Sequence, residues 1–466
     1  MIRTLCFLVA VCCCIGLISG SYTAILDTGD EVTFTEEVLL GDPSILDGRV
    51  AEFGVCYGEH LFWDFTCRFG AEDSYETSVS FSQKGIHEYI LTNTQPLNVY
   101  EQSGWGASTT GGMELSPNGY GAMIGTVVSM TQRGTEGKMN LRLADFVEYH
   151  APAFGLNYVS DRYICNEYVD SFSHITGLQA WADSPSYEAF SQLFRFPVQD
   201  DDIVTITVWV NEAGGVSGVD YYSNSSYRIL VASCATDAGL YCIPSYRDDL
   251  TETVIPGEYA QGMGMYFIPW KEYDDGSVYA GGKKRVTLDV DNAKNVCPMP
   301  ENAITYDLIM DEESETVWLL SQEDGLYLLT RLDLQTNQVL DRIELMNLPS
   351  GRHSPEWYIY GDLMLVQVAD QIALVTAGDT PALEFIAPTG DTRKLFHSIE
   401  AKTTAMVYED GLLYLADARY YDEYLSMLVF DKNGPVYSGR YHCSLFECNE
   451  LGGTQLQMRV KPTVLE

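Results

Sequence analysis

Any chemistry in this sequence has to start from its carboxylates. Of 466 residues, 66 are Asp or Glu, against 27 Lys or Arg, for a formal charge of −39. Two positioned carboxylates are enough for acid/base hydrolysis of a glycosidic bond. Asp64, Glu356 and Asp417 fall at expected strand ends, where such a pair could be displayed. The same charge invites a divalent cation. Asp200, Asp201 and Asp202 form one cluster, and Asp289, Asp291 and Asn295 gather oxygen ligands in a second. Neither follows the D-x-[DN]-x-[DN]-G pattern of a calcium loop, so calcium is the one cofactor suggested and a solvated acidic turn is the plainer reading. The seven histidines, at 60, 87, 150, 174, 353, 397 and 442, are scattered, with no two at ligand spacing. They read as surface or loop residues. There is no H-E-x-x-H, no G-x-S-x-G, no P-loop and no dinucleotide fingerprint.

Binding chemistry would come from the aromatics. Trp105 lies between Gly104 and Gly106 in a Gly/Ser/Thr-rich stretch with no evident core to fill, which makes it a candidate ligand contact. Tyr221, Tyr222, Tyr420 and Tyr421 could form stacking platforms for sugars or peptide side chains. Tyr is also a good strand residue, and blade-face packing explains most of the 31 tyrosines.

Residues 1–26 read as a targeting segment. Arg3 precedes an apolar run from Leu5 to Ile18, a length that suits a signal peptide, while the uncharged stretch continues to Leu26, long enough for an anchor. Either way the body of the chain is expected outside the membrane, as a secreted or surface-anchored protein touching lipid only through this segment. Eight cysteines follow. In an exported chain Cys56 with Cys67, Cys234 with Cys242, and Cys443 with Cys448 are disulfide candidates; buried free thiols are the alternative. The acidic surface repels phosphate backbones and so argues against nucleic acid.

The elements that must position these residues are strands. Thr205–Val210 alternates as a half-buried strand does. Thr316–Leu320, Leu363–Val368 and Leu412–Leu415 are denser apolar runs, suited to strands covered on both faces. Ala122–Met130 also reads as a strand, and Ser184–Phe196 could hold a short helix. A hairpin recurs in the second half, in which an Asp closes one strand and a polar turn leads to a Val or Leu. Its copies begin at Asp249, Asp289, Asp333, Asp379 and Asp431, at spacings of 40 to 52 residues. That is the length of a four-stranded propeller blade. The expectation is an all-β protein, a β-propeller of about seven or eight four-stranded blades. It would comprise a signal peptide or anchor 1–26, an irregular β region 27–200 (divergent blades or a separate β domain), propeller-type repeats 201–448 and a tail or closing strand 449–466.

The hairpin Asp333–Val339 resembles the D-x-x-T-G-x-V turn of quinoprotein-like and YVTN-type propeller repeats, with Asn337 where those repeats usually carry Gly. The N-terminal segment, GDPSILDG at 41–48, EHLFWDF at 59–65 and DEESETVWLL at 311–320 are together similar to exported or membrane-anchored propeller-like proteins of clostridial-type bacteria. The resemblance implies fold and export only. On this reading the chain is a non-catalytic binding, sensor or scaffold protein of the cell envelope, with a protein or glycan partner. The alternative is a carbohydrate-active hydrolase or lyase using paired carboxylates.

Overall fold

The computed structural model describes residues 32–57, 61–71, 74–81, 97–100, 119–150, 153–160, 162–169, 192–223, 226–248, 253–272, 282–311, 315–348, 355–390, 404–419, 424–444, 458–460 and 463–466, with a few positions in 16–23. They form an all-β protein of the β-propeller class, built mainly from antiparallel meanders. Among the described residues, no helix is long and apolar enough to cross a membrane. The chain divides into two compact units, 1–93 with 353–466, and 94–352.

Among the described residues, the first unit holds three sheets. One runs Glu356–Tyr360, Leu363–Val368, Gln371–Thr376, Ala382–Pro388. The next runs Thr404–Glu409, Leu412–Arg419, Tyr424–Asp431, Gly434–Cys443, and is extended by the N-terminal strand Phe34–Leu40, with Phe34 opposite Cys443. The third, Val50–Tyr57, Leu61–Arg68 and Tyr75–Phe81, takes Met458–Val460 and Val464–Leu465 from the C-terminus. Each chain end therefore completes a sheet begun near the other end. Apolar residues fill the spaces between neighbouring sheets. Phe53, Phe65, Met427 and Tyr441 share one core, and Leu365, Leu374, Met406 and Phe430 another.

In the second unit, Ile304–Asp311, Thr316–Glu323, Leu326–Asp333 and Val339–Asn347 make a four-stranded meander. Thr316–Gln322 is buried on both faces, as its unbroken apolar run requires, whereas Val339–Glu344 at the outer edge is largely exposed. The turns follow from local chemistry. Asp324-Gly325 and Asp410-Gly411 have positive φ at both positions, the geometry of a two-residue hairpin turn. In the recurring hairpin, Asp333 accepts from the Thr336 N–H (2.6 Å) and hydroxyl (2.8 Å), and Asn337 takes φ +57°.

Two sequence expectations are corrected by these elements. Gly119–Met130 is a helix, not a strand. Its short apolar run has no decisive period, and tertiary packing settles it: Met123, Ile124 and Val127 cover the sheet made of Thr135–Arg142, Ile203–Val210 and Val216–Ser223. The stretch from Asp289 to Val296 is also not a hairpin. A short 3-10 turn, Val290–Asn292, separates two strands that each pair with Gly264–Glu272. Of the segment expected to be a short helix, Phe194–Arg195 is strand and most of the rest lies outside the described residues.

Candidate active site

Next to the sheet that carries Ile203–Val210, the segment 143–150 that follows Thr135–Arg142 runs beside the segment 196–202 that leads into Ile203. The Leu143 N–H donates to the Asp202 carbonyl (2.8 Å), the Val198 N–H to Glu148 (3.0 Å), and the His150 N–H to Phe196 (2.9 Å). This backbone clamp brings together His150 and Asp202, two residues far apart in sequence. The strand Gly239–Asp248 adds Tyr246, and Tyr227–Ala235 adds Tyr227.

The Asp202 carboxylate is fully buried, with Oδ2 3.2 Å from His150 Nε2. The approach is off the N–H direction, and neither carboxylate oxygen accepts an aligned hydrogen bond. An ionised carboxylate held this way has lost its hydration without full compensation. The Tyr246 hydroxyl lies 3.0 Å from the same Nε2 and donates to the Pro197 carbonyl (3.0 Å). With its own proton on Pro197, Tyr246 can only accept from the imidazole. The Tyr246 contact therefore places a proton on Nε2. The ring keeps 16% of its side-chain surface in solvent.

The tyrosines around the dyad stay neutral. Burial, reinforced by the Asp202 and Asp201 charges, pushes Tyr246 up. Tyr227 donates to Asp201 (2.6 Å), which pushes the phenol up to about 12. Phe196 packs on Tyr246, closing the apolar side. The arrangement sets a partly exposed imidazole beside a fully buried carboxylate, with neutral tyrosines around them.

The residues singled out from sequence are otherwise dispersed. Asp201 is tied to Tyr227, and Asp200 is exposed. Asp289 accepts from the Asn292 amide (2.8 Å), and the Asn295 amide donates to the Gln261, Gly262 and Met263 carbonyls. Among the described residues, no group of three or more His, Cys, Asp or Glu could hold a metal ion. Asp64, Glu356 and Asp417 lie in three different sheets. Glu356 accepts from Tyr358 (2.9 Å), Ser80 lies 3.4 Å from Asp64, and Asp417 is buried. Tyr222 is exposed, whereas Trp105, Tyr420, Tyr421, Cys448 and the Tyr221 side chain lie outside the described residues.

The seven described cysteines are buried, and Cys67, Cys234, Cys242 and Cys297 are free thiols. Cys56 faces Phe62 and Cys67 faces Ala51, near opposite ends of one strand pair. Cys234 faces Tyr241 and Cys242 faces Ser233, one register step apart and so on opposite faces. Burial pushes Cys67 and Cys242 up to about 12, which makes them poor nucleophiles.

No family model matches the chain, and no curated protein matches it. Solved structures similar to it include a candidate 6-phosphogluconolactonase from Bacteroides fragilis. That match has 10% identity, covers 85% of this chain and 98% of that one, and has a TM-score of 0.28. The periplasmic gluconolactonase of Pseudomonas aeruginosa matches at 11% identity over 84% of this chain and 96% of that one, with a TM-score of 0.26. The expectation of a non-catalytic binding, sensor or scaffold protein is corrected at this point. Three matches that each cover 84–85% of this chain bear lactonase names, on the side of the hydrolase alternative. At these scores no activity or substrate is carried over to this chain.

Proposed function

We propose that the chain is a hydrolase of acyl bonds, with a sugar ester or lactone as substrate class and His150 as general base. The observation that carries this reading is the fully buried Asp202 carboxylate held 3.2 Å from His150 Nε2. In the reaction, Nδ1 takes a proton from water as its oxygen attacks the carbonyl carbon. The tetrahedral intermediate then collapses, and the departing alkoxide takes the proton back from the imidazolium. Nδ1 is the base because Tyr246 places a proton on Nε2, and the Asp202 charge stabilises the imidazolium across the 3.2 Å contact. Removing a positioned general base costs about 10²- to 10⁴-fold. H150Q should therefore abolish most turnover on a panel of sugar lactones and acetylated sugars, and D202N should lower kcat with little change in KM. Equal turnover by H150Q would remove the base from the mechanism.

We further infer that the protein works outside the cytoplasm, with residues 1–26 as its export signal or anchor, and that its hairpins are of the quinoprotein-like type. Expression with a periplasmic reporter fused after residue 26 tests the first point.

A further inference from the structure

The sheet that carries the dyad at one end presents a second chemistry on its outer face. Strict alternation along Ile203–Val210 sends Val204, Ile206, Val208 and Val210 to the helix Gly119–Met130, and Thr205, Thr207 and Trp209 to the other side. Register assigns three rows to that outer face. Trp209 stands between Glu136 and Gly218, Thr207 between Lys138 and Asp220, and Thr205 between Asn140 and Tyr222.

Trp209 is 39% exposed in spite of its size. Its six-membered ring lies against Gly218, where a Cβ would come within 3.0 Å of Cε3. The indole N–H donates to Glu136 (3.1 Å), so the ring is fixed in orientation as well as in place. Tyr222, 60% exposed, stands two rows away, about 13 Å along the strand direction. Between the two aromatics, Lys138, Asn140 and Asp220 are exposed donors and acceptors.

We propose that this face is a glycan-binding subsite, which takes a short neutral oligosaccharide across Trp209 and Tyr222. The C–H face of a pyranose carries partial positive charge and suits the electron-rich face of an aromatic ring. Its hydroxyls need the mixed donors and acceptors that lie between the two rings. The spacing of the rings suits several linked sugars rather than one. The formal charge of −39 disfavours a polyanionic chain. A ring stacked on a glycine and pinned at its nitrogen is also pre-organised, so little ordering cost falls on binding. The inference deepens the hydrolase reading by naming an extended carbohydrate as substrate, and depends on that reading only for what the bound chain is for.

The test separates the two. Full-length H150Q, which retains this face but lacks the proposed base, is titrated by calorimetry with cellohexaose, xylohexaose, mannohexaose and chitohexaose. At least one should bind. Adding W209A should weaken that binding tenfold or more, W209F should retain most of it, and G218A should weaken it by displacing the ring. Y222A gives an independent check should W209A fail to fold. Binding by none of the four sugars, or binding unchanged in W209A, W209F and Y222A alike, overturns the subsite whether or not the unaltered protein turns over a substrate.

Discussion

At the scale of single residues, the proposed activity turns on a carboxylate that stability alone does not explain. Asp202 is fully buried, and neither of its oxygens accepts an aligned hydrogen bond. A carboxylate buried without hydrogen-bond compensation carries a desolvation cost that a neutral amide of the same shape does not. D202N should therefore raise the melting temperature by a few degrees while it lowers kcat, a trade expected of a residue kept for chemistry. A purely structural Asp202 would give the opposite sign in the melt. The acidic cluster at 200–202 was legible in the sequence, but its use was not. The sequence suggests oxygen ligands for a cation, whereas the fold sends Asp201 to Tyr227 and Asp202 to His150. His150 looks unremarkable in sequence because its partner is 52 positions away and only backbone pairing joins them. The one local hint is an Asp standing directly before the apolar strand Ile203–Val210, where its side chain is carried inward.

At the scale of elements, turn chemistry was the most legible part. Asn337 at φ +57° and the Asp333 cap behave as the hairpin pattern implies, and Asn337 Oδ1 also accepts from Tyr241 (2.6 Å). N337A loses both the tolerated left-handed backbone and this bond, and should cost about 2–3 kcal/mol. N337G loses only the bond and should fall between N337A and the unaltered chain in urea melts. The Thr336 N–H holds the Asp333 carboxylate below its usual range. Its contribution is thus full above the ordinary carboxylate pKa and is lost as pH falls through the lowered value. D333N should flatten the acid side of the stability–pH curve, and an unaltered acid limb would show that the cap contributes nothing. The helix Gly119–Met130 was not legible, because a short apolar run carries no period that separates helix from strand. The Asp289 stretch misled for a related reason: an Asp followed by polar residues also describes a 3-10 turn.

At the scale of the whole molecule, the chain ends matter most. Phe34–Leu40 completes one sheet, and Met458–Val460 with Val464–Leu465 completes another. Deleting 458–466 would bare the edge of Val50–Tyr57 and uncover Leu465, which is buried in the core with Phe53 and Phe65. That truncation should lower the melting temperature markedly and promote association through the open edge. Charge acts at this scale too. Self-repulsion at −39 should make the melting temperature climb with sodium chloride as screening grows.

The most direct test of the proposed hydrolase is the turnover of sugar lactones and acetylated sugars by the full chain beside H150Q and D202N, all verified as folded. A general base at His150 predicts measurable hydrolysis by the unaltered protein, a loss of about 10²-fold or more in H150Q, and a kcat-selective loss in D202N. Hydrolysis that survives unchanged in H150Q, or its absence from the unaltered chain across the whole panel, would contradict it.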